Sequence, residues 1–284
     1  MTVLVTGATG TVGSHVVEAL VERGAEVRAG VRDPASARDR FPEPVELVAF
    51  DFTKPETYGF ALDGVERLFL VRPPAMSRVG RHLLPFVDAA LRTGVGRIAY
   101  LSVLGAQHNP LLPHRRVERH LESAGVDYTI LRASFFMQNL AEVHRPEIAD
   151  SDELLVPAGD GTTSFVDARD VAAAAATVLT EPGHRNRAYD ITGPEALDYD
   201  EVATVFTDVL GRRIEYADPS IPEFAWHMTR RGFDIGYVAV MVAIYTTARL
   251  GLADRVTDDF SRVVGREPRT LREFVADYAD SFRA

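Results

Sequence analysis

Three glycines, Gly7, Gly10 and Gly13, follow the apolar run Val3-Leu4-Val5 and open a stretch with apolar residues at helical spacing over 11–23. A chain that leaves a strand, turns on these glycines and enters a helix needs backbone where side chains would collide. Gly7 permits the tight turn, Gly10 lets backbone approach a bound group, and Gly13 lets helix and strand pack closely. The N–H groups at the helix start add donors and a positive dipole end for an anion. With its G-x-x-G-x-x-G spacing, the run from Thr6 through Thr9, Thr11 and Val12 to Gly13 predicts a cradle for the pyrophosphate of a dinucleotide cofactor. The same glycines also suit a strand-to-helix turn that holds nothing, so the rest of the chain must decide.

Short β-branched and apolar runs recur at 26–31, 46–50, 67–71, 97–102 and 128–131, separated by helical patterns at 78–93 and 115–124. That alternation predicts an α/β fold: a Rossmann-type doubly wound parallel sheet with helices on both faces. VLV, LFLV and IAYL are nearly continuous apolar runs, as strands buried on both sides should be. Beyond residue 134 the alternation breaks down. A helix near 136–143, a strand at 154–156, a strand at 188–191 and a helix at 199–210 precede a mostly helical end, closing at 271–282 with Thr270 as a cap. The expected organisation is a cofactor-binding core over 1–133. A smaller, mostly helical C-terminal substrate lobe follows over 134–284, contiguous with the core and including interleaved sheet-edge elements.

The 284 residues suffice for such a core without staples. With no cysteine, disulfides, thiolate catalysis and Cys-ligated zinc are excluded, and any redox chemistry falls to a bound cofactor. Lys+Arg 31 against Asp+Glu 41 gives a net charge of −10, so no global positive field attracts nucleic acid or an anionic membrane. The start, MTVLVTGATG, lacks a basic n-region, and the longest apolar stretch, 172–179, is far too short to span a bilayer. The expectation is a cytoplasmic protein. His108, His144 and His184 lack ligand spacing with neighbouring carboxylates, so no metal is expected.

At the end of the second strand, where a carboxylate would accept from the ribose hydroxyls of NAD, stands Arg32. An arginine there pairs with the 2′-phosphate of NADP, so NADP(H) is expected in preference to NAD(H), although Asp33 follows directly and a solvated loop arginine is the alternative. Asp51 and Phe52, just past the third strand, lie where an adenine contact is commonly placed; a loop carboxylate is the plainer reading. Val71, Arg72 and Pro73 end the fourth strand, and the prolines suggest a stiffened backbone beneath the cofactor. Arg72 itself reads as a phosphate contact, a substrate contact or surface.

TGATGTVG, the RD after the second strand, LSVLGA, HRRVERHLESAGVDYTILRASFFMQNL, FVDARDVAAAAA and YDITGPEALDYDEVA occur in family order. The chain thereby resembles the NmrA-like branch of the atypical short-chain dehydrogenase/reductase superfamily. The resemblance implies an NAD(P)-binding protein among quinone reductases, isoflavone-reductase-like enzymes, ergot-alkaloid-type iminium reductases or nonenzymatic redox-sensing regulators. Extended members carry Tyr-x3-Lys with a glutamate one helical turn further on. Here Glu118 matches the glutamate, His114 takes the lysine slot and Pro110 stands where the tyrosine would be, so the dyad is absent. His114, with an ordinary pKa of roughly 6.5, is the candidate acid; contact with a ribose hydroxyl or plain solvent exposure are the alternatives. Ser102, in the superfamily's serine region, either bonds a substrate oxygen or caps its loop. Glu118 either orients His114 at i, i+4 or pairs with Arg115.

Phe135 and Phe136 follow the sixth strand at the carboxyl edge of the sheet, where open α/β folds place ligands, and can flank a nicotinamide or belong to the core. Trp226 and His227 lie in a segment rich in aromatic and soft apolar side chains that suits a lid over a flat substrate, or packing against the core or another subunit. His227 is a second candidate proton donor. The resulting expectation is an NADPH-dependent oxidoreductase that transfers hydride to a small apolar or aromatic acceptor, quinone-like, enone or iminium, without a Tyr-Lys dyad. The competing reading is a non-catalytic NADP(H)-sensing protein that acts on a protein partner; a homodimer is also left open.

Overall fold

The glycine turn, the alternating apolar runs and the helical segments take their places in a computed structural model that describes residues 1–74 and 76–283. In chain order the elements begin β1 Thr2–Val5, α1 Thr11–Glu22, β2 Glu26–Val31, α2 Pro34–Ala37, β3 Glu46–Ala49, α3 Tyr58–Leu62, β4 Arg67–Val71, α4 Val79–Arg92, β5 Arg97–Val103, α5 Pro113–Ser123 and β6 Asp127–Ala133. They continue β7 Phe135–Phe136, α6 Gln138–Glu142, α7 Arg145–Ser151, β8 Glu153–Leu155, β9 Thr163–Val166, α8 Ala168–Thr180, β10 Arg187–Ile191, β11 Ala196–Leu197, α9 Tyr199–Leu210 and β12 Glu215–Ala217. Four helices close the chain: α10 Ile221–Arg230, α11 Ile235–Arg249, α12 Asp259–Val264 and α13 Leu271–Asp277.

Two units divide the chain, the first comprising Met1–Ala133, Ala168–Ile191 and Asp259–Arg266. Among the described residues its sheet has seven strands in the order β10-β6-β5-β4-β1-β2-β3, all parallel. The α/β, Rossmann-like fold read from the sequence is therefore the fold observed. Parallel strands need crossovers, and helices covering both faces explain why Val3, Leu4, Val5 and Leu68 to Leu70 are fully buried. On one face, Leu83, Phe86 and Val87 of α4 and Val117 and Leu121 of α5 close over Leu4, Leu68, Ile98 and Ile130. On the other face α8 packs beside α1, with Arg23 donating to Thr177 Oγ1 at 2.8 Å. The carbonyls at the C-terminal end of α8 receive Arg97 Nη1, at 2.9 Å from Val178 O, and a bond from Arg67 to Leu179 O. Strand order reverses between β1 and β4, and a doubly wound sheet holds ligands beyond the carboxyl ends of its strands at such a point.

Segments Ser134–Asp167, Thr192–Asp258 and the stretch from Glu267 onward form the second unit. It carries the sheets β11-β9-β7 and β12-β8 and a core of Phe165, Tyr199, Phe206, Phe224, Tyr245 and Phe274. Where the sequence reads one helix over 136–143, the structure has the short strand β7, paired parallel to β9, and then α6. The final helix read over 271–282 ends at Asp277 and passes into a 3-10 turn over Ala279–Phe282, with Thr270 capping Glu273 N as expected. Residues 134–284 thus include α8, β10 and α12, which belong to the first unit. Among the described residues no helix is long and apolar enough to cross a membrane.

Candidate functional site

The turn after β1 is held by contacts that leave no room for side chains. Gly7 has φ +61°, and a Cβ there would lie 2.5 Å from Val71 Cγ1. A Cβ on Gly13 would lie 2.1 Å from Gly7 O, so α1 approaches the turn as closely as backbone permits. Gly10 N donates to Gly7 O at 2.9 Å, and Thr6 Oγ1 bridges the two central strands, donating to Phe69 O at 3.1 Å and accepting from Val71 N at 3.0 Å. Gly10 is the N-cap of α1 and offers no side chain, and no acidic residue stands in the first turn. The helix start therefore keeps the donors and positive end that a pyrophosphate requires. Val12 is buried, leaving its backbone as the part that can face a ligand, while Thr9 and Thr11 are half-buried at the rim.

Arg32 is exposed at the end of β2, while Asp33 is turned away into a cap, accepting from Ala35 N at 3.0 Å and Ser36 N at 3.4 Å. The carboxylate that follows Arg32 thus serves α2. A second arginine, Arg40, reaches the turn and donates to Thr9 O at 2.8 Å. Nothing in the sequence marks Arg40, because its reach depends on how α2 and the 3-10 turn after it fold the chain back. Asp51 accepts from Thr53 N and Thr53 Oγ1, each at 2.8 Å. Burial pushes the Asp51 carboxyl up, but those bonds, with Lys54 and Arg32, hold it below its ordinary value. Phe52 packs edge-on against Phe50 and Phe86 and is 5 % exposed, so its ring is core and any nucleotide contact falls to its backbone.

Across the switch point, Val71 packs on Gly7 and Arg72 turns inward. The Arg72 guanidinium binds the loop that follows, with Nη1 donating to Pro73 O at 3.0 Å, Pro74 O at 2.9 Å and Met76 O at 2.8 Å. Pro73, Pro74 and Met76 are thus tied to one arginine. Arg72 Nε donates to His114 Nε2 at 3.2 Å. His114 lies in the first turn of α5, which starts two residues earlier than its apolar spacing suggests because Pro113 suits the helix start. Burial, then the adjacent Arg72 charge, lowers the His114 pKa to about 4 against an opposing pull from Glu118. The expectation of an imidazole titrating near neutrality is corrected: the ring is neutral at physiological pH. Its Nδ1 is buried with no hydrogen-bond partner among the described residues, as is the hydroxyl of Tyr100 on β5. Burial pushes that phenol well above its ordinary range, so it stays protonated.

Glu118 makes the pair with Arg115 that was one of its two readings, and it also binds Ser102, which neither reading of the serine included. Glu118 is fully buried; Oε1 accepts from Ser102 Oγ at 2.7 Å and Arg132 Nε at 2.9 Å, and Oε2 from Arg132 Nη2 and Arg115 Nη1, both at 3.0 Å. The Ser102 proton is engaged by that carboxylate and the residue is 1 % exposed, so its geometry joins β5 to α5 rather than presenting a donor to a substrate. Burial opposes the charge on Glu118, yet the bonds from Arg132 and Ser102 keep its carboxyl below the ordinary range.

Within the second unit, Phe135 on β7 is half-buried, its ring 5.6 Å from Phe165 and 5.9 Å from Tyr245, and Phe136 beside it is also half-buried. Trp226 stands 62 % exposed with the Arg230 guanidinium 4.7 Å over its ring. His227 is held at Nε2 by Glu147 Oε1 at 2.6 Å, and Arg231 donates to the same carboxylate, giving the ring a structural partner the sequence did not show. Near it His144 is wholly buried against the Tyr245 hydroxyl, and burial with the nearby Arg231 and His227 lowers its pKa to about 3. Among the described residues no group of three or more His, Asp or Glu side chains could hold a metal ion. In the first unit the cradle glycines, Val71 and Arg72 with His114 share the switch-point end of the sheet.

Known proteins share this chain's sequence and architecture over nearly its whole length. It is 34 % identical over 286 residues to NAD(P)H azoreductase of Xenophilus azovorans, covering 99 % of each chain. Triphenylmethane reductase of Citrobacter sp., solved with NADP(H), superposes with a TM-score of 0.88 at 27 % identity over 98 % of this chain and 99 % of that one. The NADPH-dependent quinone oxidoreductase of Escherichia coli, solved with NADPH, gives a TM-score of 0.88 at 28 % identity over 98 % of this chain and 100 % of that one. With residues 1–275 also matching the model of the NmrA-like family, the chain belongs to that family.

Proposed function

We propose that the protein is an NAD(P)H-dependent reductase that takes NADPH in preference to NADH and reduces a small, flat, conjugated acceptor of the quinone, enone or iminium kind. One observation carries the choice of acceptor: His114, in the lysine slot of the superfamily pattern, accepts from Arg72 Nε at 3.2 Å and is a neutral imidazole instead of an acid. An ordinary carbonyl needs a proton donor at its oxygen as hydride arrives; a strongly electrophilic conjugated acceptor does not. NADPH, when bound, supplies the hydride. The uncapped start of α1 with Gly7, Gly10 and Gly13 holds its pyrophosphate, and Arg32 with Arg40 attracts the 2′-phosphate while Asp33 stays on its cap. The proton that completes reduction comes from water. Azo, triphenylmethane and quinone reductases among the relatives support an acceptor of this class.

The test is NADPH oxidation across a panel of quinones, imines, enones and azo dyes with the purified protein. Turnover of at least one class with NADPH favoured over NADH supports the reading. Tight NADPH binding without turnover of any acceptor points to the sensor instead.

A further inference from the structure

We propose that Arg72 is a positioning residue: by donating Nε–H to His114 Nε2 it fixes the imidazole as the Nδ1–H tautomer and so presents one buried N–H donor to an oxygen of the bound reactants. The inference rests on the reductase reading for what is bound, and on geometry for the rest. Arginine Nε always carries its hydrogen, so the ring nitrogen 3.2 Å away has to be the unprotonated acceptor. A neutral imidazole then holds its single proton on the other nitrogen. That nitrogen, Nδ1, is buried and lacks a partner among the described residues, whereas buried donors are paired in folded proteins. Its missing acceptor is accordingly an oxygen that arrives with the ligand, either a nucleotide hydroxyl or amide oxygen or an oxygen of the acceptor molecule.

The groups that face the ring fit this role. Arg72 at the end of β4 repels a positive imidazole, Glu118 one turn along α5 favours it, and Tyr100 on β5 lies in the field of both without a charge of its own. Glu118 is already bound by Arg132, Arg115 and Ser102, so Arg72 dominates. Three further bonds from its guanidinium to the carbonyls of Pro73, Pro74 and Met76 prevent Arg72 from swinging away, which makes the tautomer a fixed feature of the site.

The experiment is ¹⁵N NMR of histidine-labelled protein, with the His114 signals assigned by His114→Asn. Wild type is expected to show Nδ1–H with Nε2 unprotonated and no titration between about pH 5.5 and 8. Saturating NADPH or the acceptor, added separately, shifts the Nδ1 resonance, and which of the two does so identifies the source of the oxygen. Arg72→Met keeps the bulk of the side chain but removes the donor; the ring then samples both tautomers, its pKa moves up but stays below the ordinary value because burial remains, and kcat/KM falls about tenfold. In a His114→Asn background, Arg72→Met is expected to change kcat/KM less than twofold, because its effect passes through the ring. An Arg72→Met protein whose His114 stays wholly Nδ1–H overturns the proposal, as does a full loss of kcat/KM on adding Arg72→Met in the His114→Asn background, which would assign Arg72 to the carbonyls of Pro73, Pro74 and Met76. A tautomer switch in Arg72→Met together with no turnover by wild type on any acceptor upholds the positioning role and sinks the reductase reading, so the two fail separately.

Discussion

Gly13→Ala tests whether the close approach of α1 to the turn is what holds the nucleotide. The new methyl carbon would sit 2.1 Å from Gly7 O, 2.7 Å from Gly7 C and 3.0 Å from the Ala8 Cα. Real side chains do not approach backbone below 3.0 Å, so α1 and the turn must separate by roughly 1 Å, and neither is a flexible side chain. Overpacking of this kind costs about 1–3 kcal/mol, which for a chain of this size lowers Tm by about 2–12 °C. The same displacement moves the first-turn N–H groups off the pyrophosphate. Losing one hydrogen bond to a charged group costs about 1.5–3 kcal/mol, which weakens NADPH binding about 10- to 100-fold. Gly59→Ala is the control, since a Cβ there meets nothing within 4 Å and the position lies on α3; it should leave affinity unchanged and stabilise by up to about 1 kcal/mol. Thermal melting with and without NADPH, alongside a fluorescence titration, reads both. Wild-type affinity and Tm in Gly13→Ala would refute the reasoning.

Removing the Glu118 carboxylate with Glu118→Ala strands Arg132 and Arg115 beside a buried void and should destabilise by about 3–5 kcal/mol in a denaturant titration. Because its folded pKa is lowered, Glu118 contributes above the ordinary carboxylate range near 4.3, and the contribution fades as pH falls through the folded value. His144 acts in the same direction by another route: the unfolded ring takes a proton below about 6.5 while the buried ring resists until about 3, so stability falls by up to about 4–5 kcal/mol across that window. His144→Phe should flatten that slope in Tm measured from pH 7 to 4, and an unchanged slope would remove His144 as its source. Arg32→Ala and Arg40→Ala should each weaken NADPH about tenfold and leave NADH unaltered, read by titrating both nucleotides; equal losses for the two would place these arginines away from the 2′-phosphate.

What could be read from sequence follows the range of the interactions involved. The glycine turn, the buried strands and the Thr270 cap are set by neighbours within a few residues, and the structure has each of them. Of the two readings of Glu118, pairing with Arg115 is the one observed; its further partners on β5 and β6 are hidden because periodicity shows only its own helix. Arg40 and Arg72 were respectively missed and left undecided for a related reason: each acts on backbone carbonyls, which leave no trace in residue types. Phe136 falls at the start of the helix read over 136–143 because the two-residue strand it forms with Phe135 depends on its partner at Phe165-Val166, thirty positions away, rather than on local pattern. His114 falls one residue before the helix that apolar spacing shows and inside α5 as folded, and its protonation is set by burial and by an arginine 42 residues earlier, neither of which is visible along the chain.

The central claim, hydride transfer at the switch-point site, is tested most directly by single-turnover reduction of a quinone with NADPH deuterated at one or the other C4 position. A primary isotope effect on NADPH oxidation with one label and none with the second is the predicted result, since a fixed cradle presents a single face of the nicotinamide. Equal rates for both labels, or NADPH that binds at the cradle and is never oxidised, would contradict it.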